Sequence, residues 1–315
     1  MGALEITAII LASLSVGFLI SHVILLEGLF RHFFGRMEAD KMENDPLTSD
    51  YYDISRERLL QAREEIKKIP YREVAVTAAD GARLVANYYD LGKENTVIFM
   101  HGFHSHPFST FSTLALSMME KGYNVLFPFE RAHAKSGGKY ITYGWKEQYD
   151  LLKWIDFVDT ETTAKNVLVY GVSMGGTTVG LASDKIACPK VKALVVDCAF
   201  TGIDSLLDNL VKTMHLPGKI FLPGMKRRIK RRMGMTLDQF DMTDSIRNDK
   251  LPTFFVYGEK DFLVSRESFD ETYAACPAEK EAFIAPESGH AVTMVDGGEA
   301  ALDKLYAFVD RFIDR

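Results

Sequence analysis

Residues 170–178 read YGVSMGGTT, a serine at 173 set among Gly171, Gly175 and Gly176 directly after the apolar run NVLVY. A serine hydroxyl is a weak nucleophile at neutral pH and needs a base beside it, itself oriented by a third group. The G-x-S-x-G spacing suits a sharp strand-to-helix turn that lifts the hydroxyl above a sheet edge. Glycine is needed on both sides because a Cβ there would crowd the neighbouring strand or helix. The following run, MGGTTVGLAS, is small and compatible with a helix. A plain glycine-rich turn is the competing reading, and the strand before and helix after Ser173 argue against it.

In such an arrangement the chain order is serine, then acid, then histidine, with the last two on loops after later strands. Asp261 in YGEKDFLV follows LPTFFVYG, and His290 in PESGHAVTM follows EAFIAP. The other histidines precede Ser173 or, like His215, lie between Asp197 and Leu251, so His290 is the expected base. Asp261 is the expected acid. Asp197, at the end of VKALVVD, is its rival, with loop hydrogen bonding as its plain role. Two backbone N–H groups are expected to receive the developing oxyanion: Met174 at the head of the helix and Phe103 in the loop MHGFHSHPFST. His101, His104 and His106 share that loop, but it holds no carboxylate and its side chains need not converge, so neither a metal nor a cofactor is expected.

The elements that must position these residues are legible as alternating runs. YREVAVTA and ARLVANYYD flank Asp80-Gly81, a hairpin signal. NTVIFM, YNVLFPF, NVLVYGV, VKALVVD, LPTFFVYG and EAFIAP are short and apolar, as strands buried on both faces of a parallel sheet are. STFSTLALSMMEKG, GWKEQYDLLKWIDFV and ALDKLYAFVDRFI suit helices between and after them. The fold class implied is α/β, a mostly parallel central sheet flanked by helices.

Composition supports a sizeable core: 315 residues, 47% hydrophobic, with a mild net charge of -6 that suggests no nucleic-acid partner. Cys188, Cys198 and Cys276 show no metal or disulfide spacing. Ile6 to Leu26 contains no charged residue and is long enough to cross a bilayer. With no Lys or Arg before it and no small-x-small site before Glu27, a retained anchor over 4–26 is favoured over a cleaved signal. Arg31 and Arg36 follow the span and bias the body weakly toward the cytoplasm, which leaves the side of the membrane open. Residues 27–70 are expected to be a juxtamembrane linker, in which SRERLLQAREEIKKI forms a helix with Leu59, Leu60, Ala62 and Ile66 on one stripe, either docked or solvated.

The motifs HGF, FERAHAKSGG, GVSMGG, GEKD and SGHA, in that order, resemble the α/β-hydrolase superfamily over Tyr71 to Arg315. Within it the chain is similar to bacterial membrane-anchored hydrolases of the serine-aminopeptidase-like and BAAT or acyl-hydrolase-like type. The resemblance implies a Ser173, Asp261, His290 triad with Phe103 and Met174 as oxyanion donors, and a cap inserted at about 200–248 of a 71–315 domain. Where relatives carry D-x-R-G-H-G-x-S, this chain has Ala132 and Ala134 in place of the glycines. Leu206, Leu207, Leu210, Val211 and Met214 in the insertion could line an acyl pocket or simply pack it on the body. Lys226, Arg227, Arg228, Lys230, Arg231 and Arg232 could meet anionic headgroups or form a solvated face. The expected function is hydrolysis of a small-molecule carboxylic ester or thioester through an acyl-enzyme. The alternatives are an aminopeptidase-like amide hydrolase and a non-catalytic, membrane-tethered binding protein.

Overall fold

The computed structural model describes residues 2–38, 56–237 and 241–313, so most of the polar part of the expected linker and a short piece of the insertion, 238–240, lie outside the described residues. Eight strands form one sheet: β1 (Arg72–Thr77), β2 (Arg83–Tyr89), β3 (Asn95–Met100), β4 (Tyr123–Phe129), β5 (Asn166–Val172), β6 (Val191–Asp197), β7 (Thr253–Gly258) and β8 (Lys280–Ala285). Their order is β1-β2-β4-β3-β5-β6-β7-β8. The first two strands pair antiparallel through the turn at Gly81, whose φ of 82° suits glycine. From β4 to β8 all pairings are parallel.

Strands β3 to β7 are largely apolar because both of their faces are covered. Val97, Phe99, Leu168 and Tyr170 point to one side, under α3 (Pro107–Glu120) and α11 (Gly298–Val309). Ile98, Met100, Val167 and Val169 point to the other, under α4 (Glu147–Glu161) and α5 (Met174–Ala182). The helix of the expected linker, α2 (Arg56–Ile66), buries Leu59, Ala62 and Ile66 and packs on α3, so it is docked rather than solvated.

The N-terminal helix departs from the expected boundaries. α1 runs unbroken from Ala3 to Phe34, through the position where anchor was to give way to linker. Its outer part is bare: Leu14, Phe18 and Ile24 are each 65% exposed. Its last turns are core, with Leu26, Phe30 and Phe34 at 2% exposure or less. The exit from α1 is fastened to the body. The Tyr143 hydroxyl donates to the Phe33 carbonyl at 2.7 Å, Ile141 N–H to Phe34 at 3.0 Å, and Met37 N–H to Ala132 at 2.8 Å. Arg36, one of the two arginines that follow the apolar span, donates to the carbonyls of Ser136 and Ala134.

Between β6 and β7 lie α6 (Ile203–Thr213), α7 (Gly218–Met233) and the short α8 (Met242–Ile246). α7 packs on α1 at Gly224, where a Cβ would come within 2.6 Å of Leu26, and at Phe221, whose ring lies 4.9 Å from that of His22. After β7 come α9 (Arg266–Ala275) and, after β8, α10 (Thr293–Asp296).

Candidate active site

The Ser173 turn is held by contacts that only glycine permits. Ser173 itself sits at φ 55°, ψ −117°, between β5 and α5. A Cβ on Gly171 would lie 2.1 Å from the Gly175 carbonyl oxygen, and one on Gly175 would lie 1.9 Å from that of Met100. Those separations are far inside contact distance, so the elbow cannot form with alanine at either position. The strained serine is anchored by its own N–H, which donates to the Asp197 carbonyl at 2.8 Å.

The three residues singled out from sequence meet there. His290 Nε2 lies 2.7 Å from Ser173 Oγ, and His290 Nδ1 lies 2.7 Å from Asp261 Oδ2. The other Asp261 oxygen accepts the Leu263 and Val264 N–H groups at 2.8 and 2.9 Å, which fixes the carboxylate on the loop after β7. The Asp261 side chain is fully buried and that of His290 is 10% exposed, so their interaction is little screened by water. Nδ1–H donation to a carboxylate leaves Nε2 free to accept the serine proton.

Asp197, the rival acid, does not reach His290 by a hydrogen bond. Its carboxylate accepts the Tyr170 hydroxyl at 2.8 Å rather than loop backbone, and burial holds its carboxyl up at about 6. Met174 opens α5, where the first N–H groups have no intrahelical acceptor. The backbone preceding Phe103 abuts the nucleophile: a Cβ on Gly102 would lie 3.5 Å from Ser173 Cβ. The Met174 amide is thus next to Ser173, and the Phe103 amide follows directly on the residue that abuts it.

The loop histidines do not converge. His101 accepts the Glu130 N–H at 3.0 Å, His106 caps α3 by accepting the Phe108 N–H at 3.2 Å, and the ring of His104 stacks on Phe103. Burial is the largest reason that His101 is held down at about 4 and His106 at about 3, so both rings are neutral. Among the described residues, the one close grouping of potential metal ligands is Cys198, Asp261 and His290. Asp261 and His290 are already committed to each other and to Ser173 in that grouping, and the hydrogen bonds explain it without an ion.

Above Ser173 and His290 opens a cavity of about 190 Å³ whose other lining residues are all apolar or aromatic. Phe103 and Tyr143 come from loops, Leu263 and Val264 from the segment after Asp261, and Phe200, Ile203, Leu206 and Leu207 from the start of the insertion. Phe33 and Phe34 come from α1. Leu206 and Leu207 therefore line the pocket, while Val211 and Met214 line a second cavity. The Leu210 side chain lies outside the described residues. In the basic cluster, Arg232 makes two bonds to Glu27, at 2.8 and 3.0 Å, and Lys226 lies 2.8 Å from Asp204.

Tyr143, Phe200, Ile203, Leu263 and Val264 are pocket residues that the sequence reading missed, and so are Phe33 and Phe34. For the last two the signal was present: Leu26, Leu29, Phe30, Phe33 and Phe34 follow the i, i+3, i+4, i+7, i+8 stripe of a helix packed on a core. Glu27 ended the uncharged run and masked it.

Strand order, elbow and loop positions together settle the architecture. The chain has the α/β-hydrolase fold. The family model for serine aminopeptidase, S33, matches residues 92–238. The chain is 23% identical to a Bacillus subtilis protein described as uncharacterized protein YqkD, over 99% of this chain and 97% of that one. Among solved structures it is similar to the Pyrococcus furiosus esterase Pf2001, at 24% identity and a TM-score of 0.66, covering 79% of this chain and 96% of that one. An esterase from Exiguobacterium antarcticum aligns at 18% identity and a TM-score of 0.57, covering 75% of this chain and 98% of the esterase.

Proposed function

We propose that this chain is a membrane-anchored serine hydrolase that cleaves a carboxylic ester or thioester. The observation that carries the reading is the unbroken hydrogen-bond line from Asp261 through His290 to Ser173, at 2.7 Å for each link, at the floor of an apolar pocket. In acylation, His290 Nε2 takes the proton from Ser173 Oγ as Oγ bonds to the substrate carbonyl carbon. The Met174 and Phe103 amides receive the oxyanion, and Asp261 stabilises the imidazolium. As the tetrahedral intermediate collapses, the bond to the leaving group breaks and the imidazolium returns its proton to that group. Water, deprotonated by the same imidazole, then attacks the acyl-serine, and Ser173 leaves with the proton.

An aminopeptidase-like activity needs an anion to hold a free ammonium group. No carboxylate lines the cavity among the described residues, which favours a neutral acyl group. Anchoring is favoured over a cleaved signal by packing: removal of α1 would strip Leu26, Phe30 and Phe34 from the core. The outer part of α1 has a mean hydropathy of 2.4 and almost no contact with the body, as a lipid-facing span would. The insertion is read as a cap, since it supplies pocket walls. Arg228 and Arg232 of α7 lie beside Glu27, at the level where the apolar part of α1 ends, which supports a contact of the basic cluster with anionic headgroups.

The test is fluorophosphonate labelling of the full chain in detergent, followed by intact mass. Wild type is expected to label, and Ser173→Ala and His290→Ala are not. Ester turnover of Ser173→Ala is expected to fall by about 10⁴-fold or more. A wild type that is folded and unlabelled would sink the triad and favour a binding protein on a hydrolase scaffold.

A further inference from the structure

A second cavity lies behind one wall of the active-site cavity. Phe33 and Leu207 line both the active-site cavity and this second one, of about 20 Å³, whose remaining walls include Leu29, Val211, Met214 and Phe221. All the residues around that second cavity are apolar. Together the two spaces follow the seam between α1 and the insertion helices α6 and α7.

At its far end the seam reaches the surface. Met214 is 42% exposed and Ile220, one residue before Phe221, is 47% exposed. The ring of Phe221 rests on His22, within the part of α1 whose outer face is bare and apolar. From Phe33 to His22 is eleven residues, roughly 16 Å along a helix and on the scale of a long acyl chain. The seam therefore joins the serine to the depth at which α1 would face lipid.

Resting on the serine-hydrolase reading above, we propose that this seam is the acyl-chain subsite and the lateral way in, so that the substrate is a long-chain acyl ester resident in the bilayer. The ester carbonyl reaches Ser173 while the chain lies between α1 and the cap. The anchor is then part of the binding site as well as a tether. A chain leaving the bilayer by this route exchanges one apolar surface for another and avoids water, whereas a soluble short-chain ester uses only the 190 Å³ cavity beside the serine.

The test compares Val211→Trp and Leu29→Trp, which fill the second cavity without touching the triad, with wild type in phosphatidylcholine vesicles. Three readings are taken: hydrolysis of a vesicle-embedded oleate ester, hydrolysis of a soluble butyrate ester, and the rate of fluorophosphonate labelling. Oleate turnover is expected to fall by about tenfold or more, with butyrate turnover and labelling within about twofold of wild type. Equal loss on both esters in a variant that still labels, or no loss on either, overturns the route. Absence of labelling in wild type overturns the hydrolase reading instead, so the two failures are distinguishable.

A second measurement does not depend on tolerated tryptophans. A diazirine-bearing oleate ester is photolysed in vesicles with the Ser173→Ala full-length chain, and the crosslinked peptides are mapped. Adducts on the segments around Leu29 and Val211 are expected; adducts confined to other surfaces overturn the proposal.

Discussion

Residues 4–25 and residues 26–34 belong to one continuous helix, and they face opposite surroundings. The first stretch is apolar on all sides and packs against little; the second is apolar on one stripe and packs into the α/β body. Mean hydropathy falls across the boundary as Glu27, Arg31 and His32 enter, but it does not say what covers the apolar residues on either side. Periodicity does separate them: a helix apolar all round suits lipid, while a stripe with Glu27, Gly28, Arg31 and His32 between its members suits a protein core. On the anchoring proposed above, one helix serves two solvents, and the change of solvent falls near Leu26.

The sharpest way to break this comparison is to cut the helix at two places. Deletion of residues 2–25 is expected to leave a folded protein that still labels with fluorophosphonate. Deletion of 2–34 also removes Leu26, Phe30 and Phe34, which at about 1.5–3 kcal/mol for each buried side chain amounts to most of a typical domain's stability. That shorter chain is expected not to fold. A point variant makes the same contrast more finely: Phe34→Ala should destabilise by about 3–5 kcal/mol, and Phe18→Ala, at an exposed position, by less than about 0.5 kcal/mol. Thermal melts of the two in detergent decide it, and equal shifts would mean that the end of α1 is not core.

The rest of the molecule was legible to very different degrees. Each strand from β3 to β7 was readable because burial on both faces makes it a short continuous apolar run, and such runs survive without knowledge of their neighbours. Ser173, Asp261 and His290 could be selected because each follows such a run and their chain order is restricted. The pocket walls were harder. Tyr143 lies in a loop with φ 54° and no pattern, and it gains its place from contacts with Phe33, Phe34 and Phe103, more than one hundred positions earlier in the first two cases. Tertiary neighbours of that kind leave no local trace.

The loop beneath the buried end of α1 offers a test by pH. His106 is neutral in the folded chain, held down at about 3 chiefly by burial, whereas an unfolded histidine titrates near 6.5. Between those values the unfolded chain binds the extra proton, so this residue's contribution to stability is lost as pH falls below about 6.5. Asparagine keeps an acceptor for the Phe108 N–H and removes the titration. Relative to its own pH 7 value, wild type should therefore lose about 2 kcal/mol more than His106→Asn on going to pH 5, read from paired thermal melts. Parallel profiles would place the histidine's proton elsewhere.

The smallest effect concerns the loop that clasps the chain just after α1. Ala132 and Ala134 have φ of 59° and 42°, in the left-handed region that favours glycine. Ala132 accepts the Met37 N–H and the Ala134 N–H donates to Met37, so this strained pair receives the exit of the helix. An alanine there carries about 1–2 kcal/mol of backbone strain that glycine would relieve. Against that stand roughly 0.8 kcal/mol for the buried methyl and 0.5–1 kcal/mol for glycine's greater freedom when unfolded. The terms nearly cancel at Ala132, whose exposure is 0%, and tilt slightly toward glycine at Ala134, at 8%. Ala134→Gly is thus expected to raise the melting temperature by about 1–2 °C and Ala132→Gly to leave it unchanged. A fall of several degrees in either would mean that the methyl packing outweighs the strain, and that the alanines help to lock α1 onto the body rather than merely tolerating the turn.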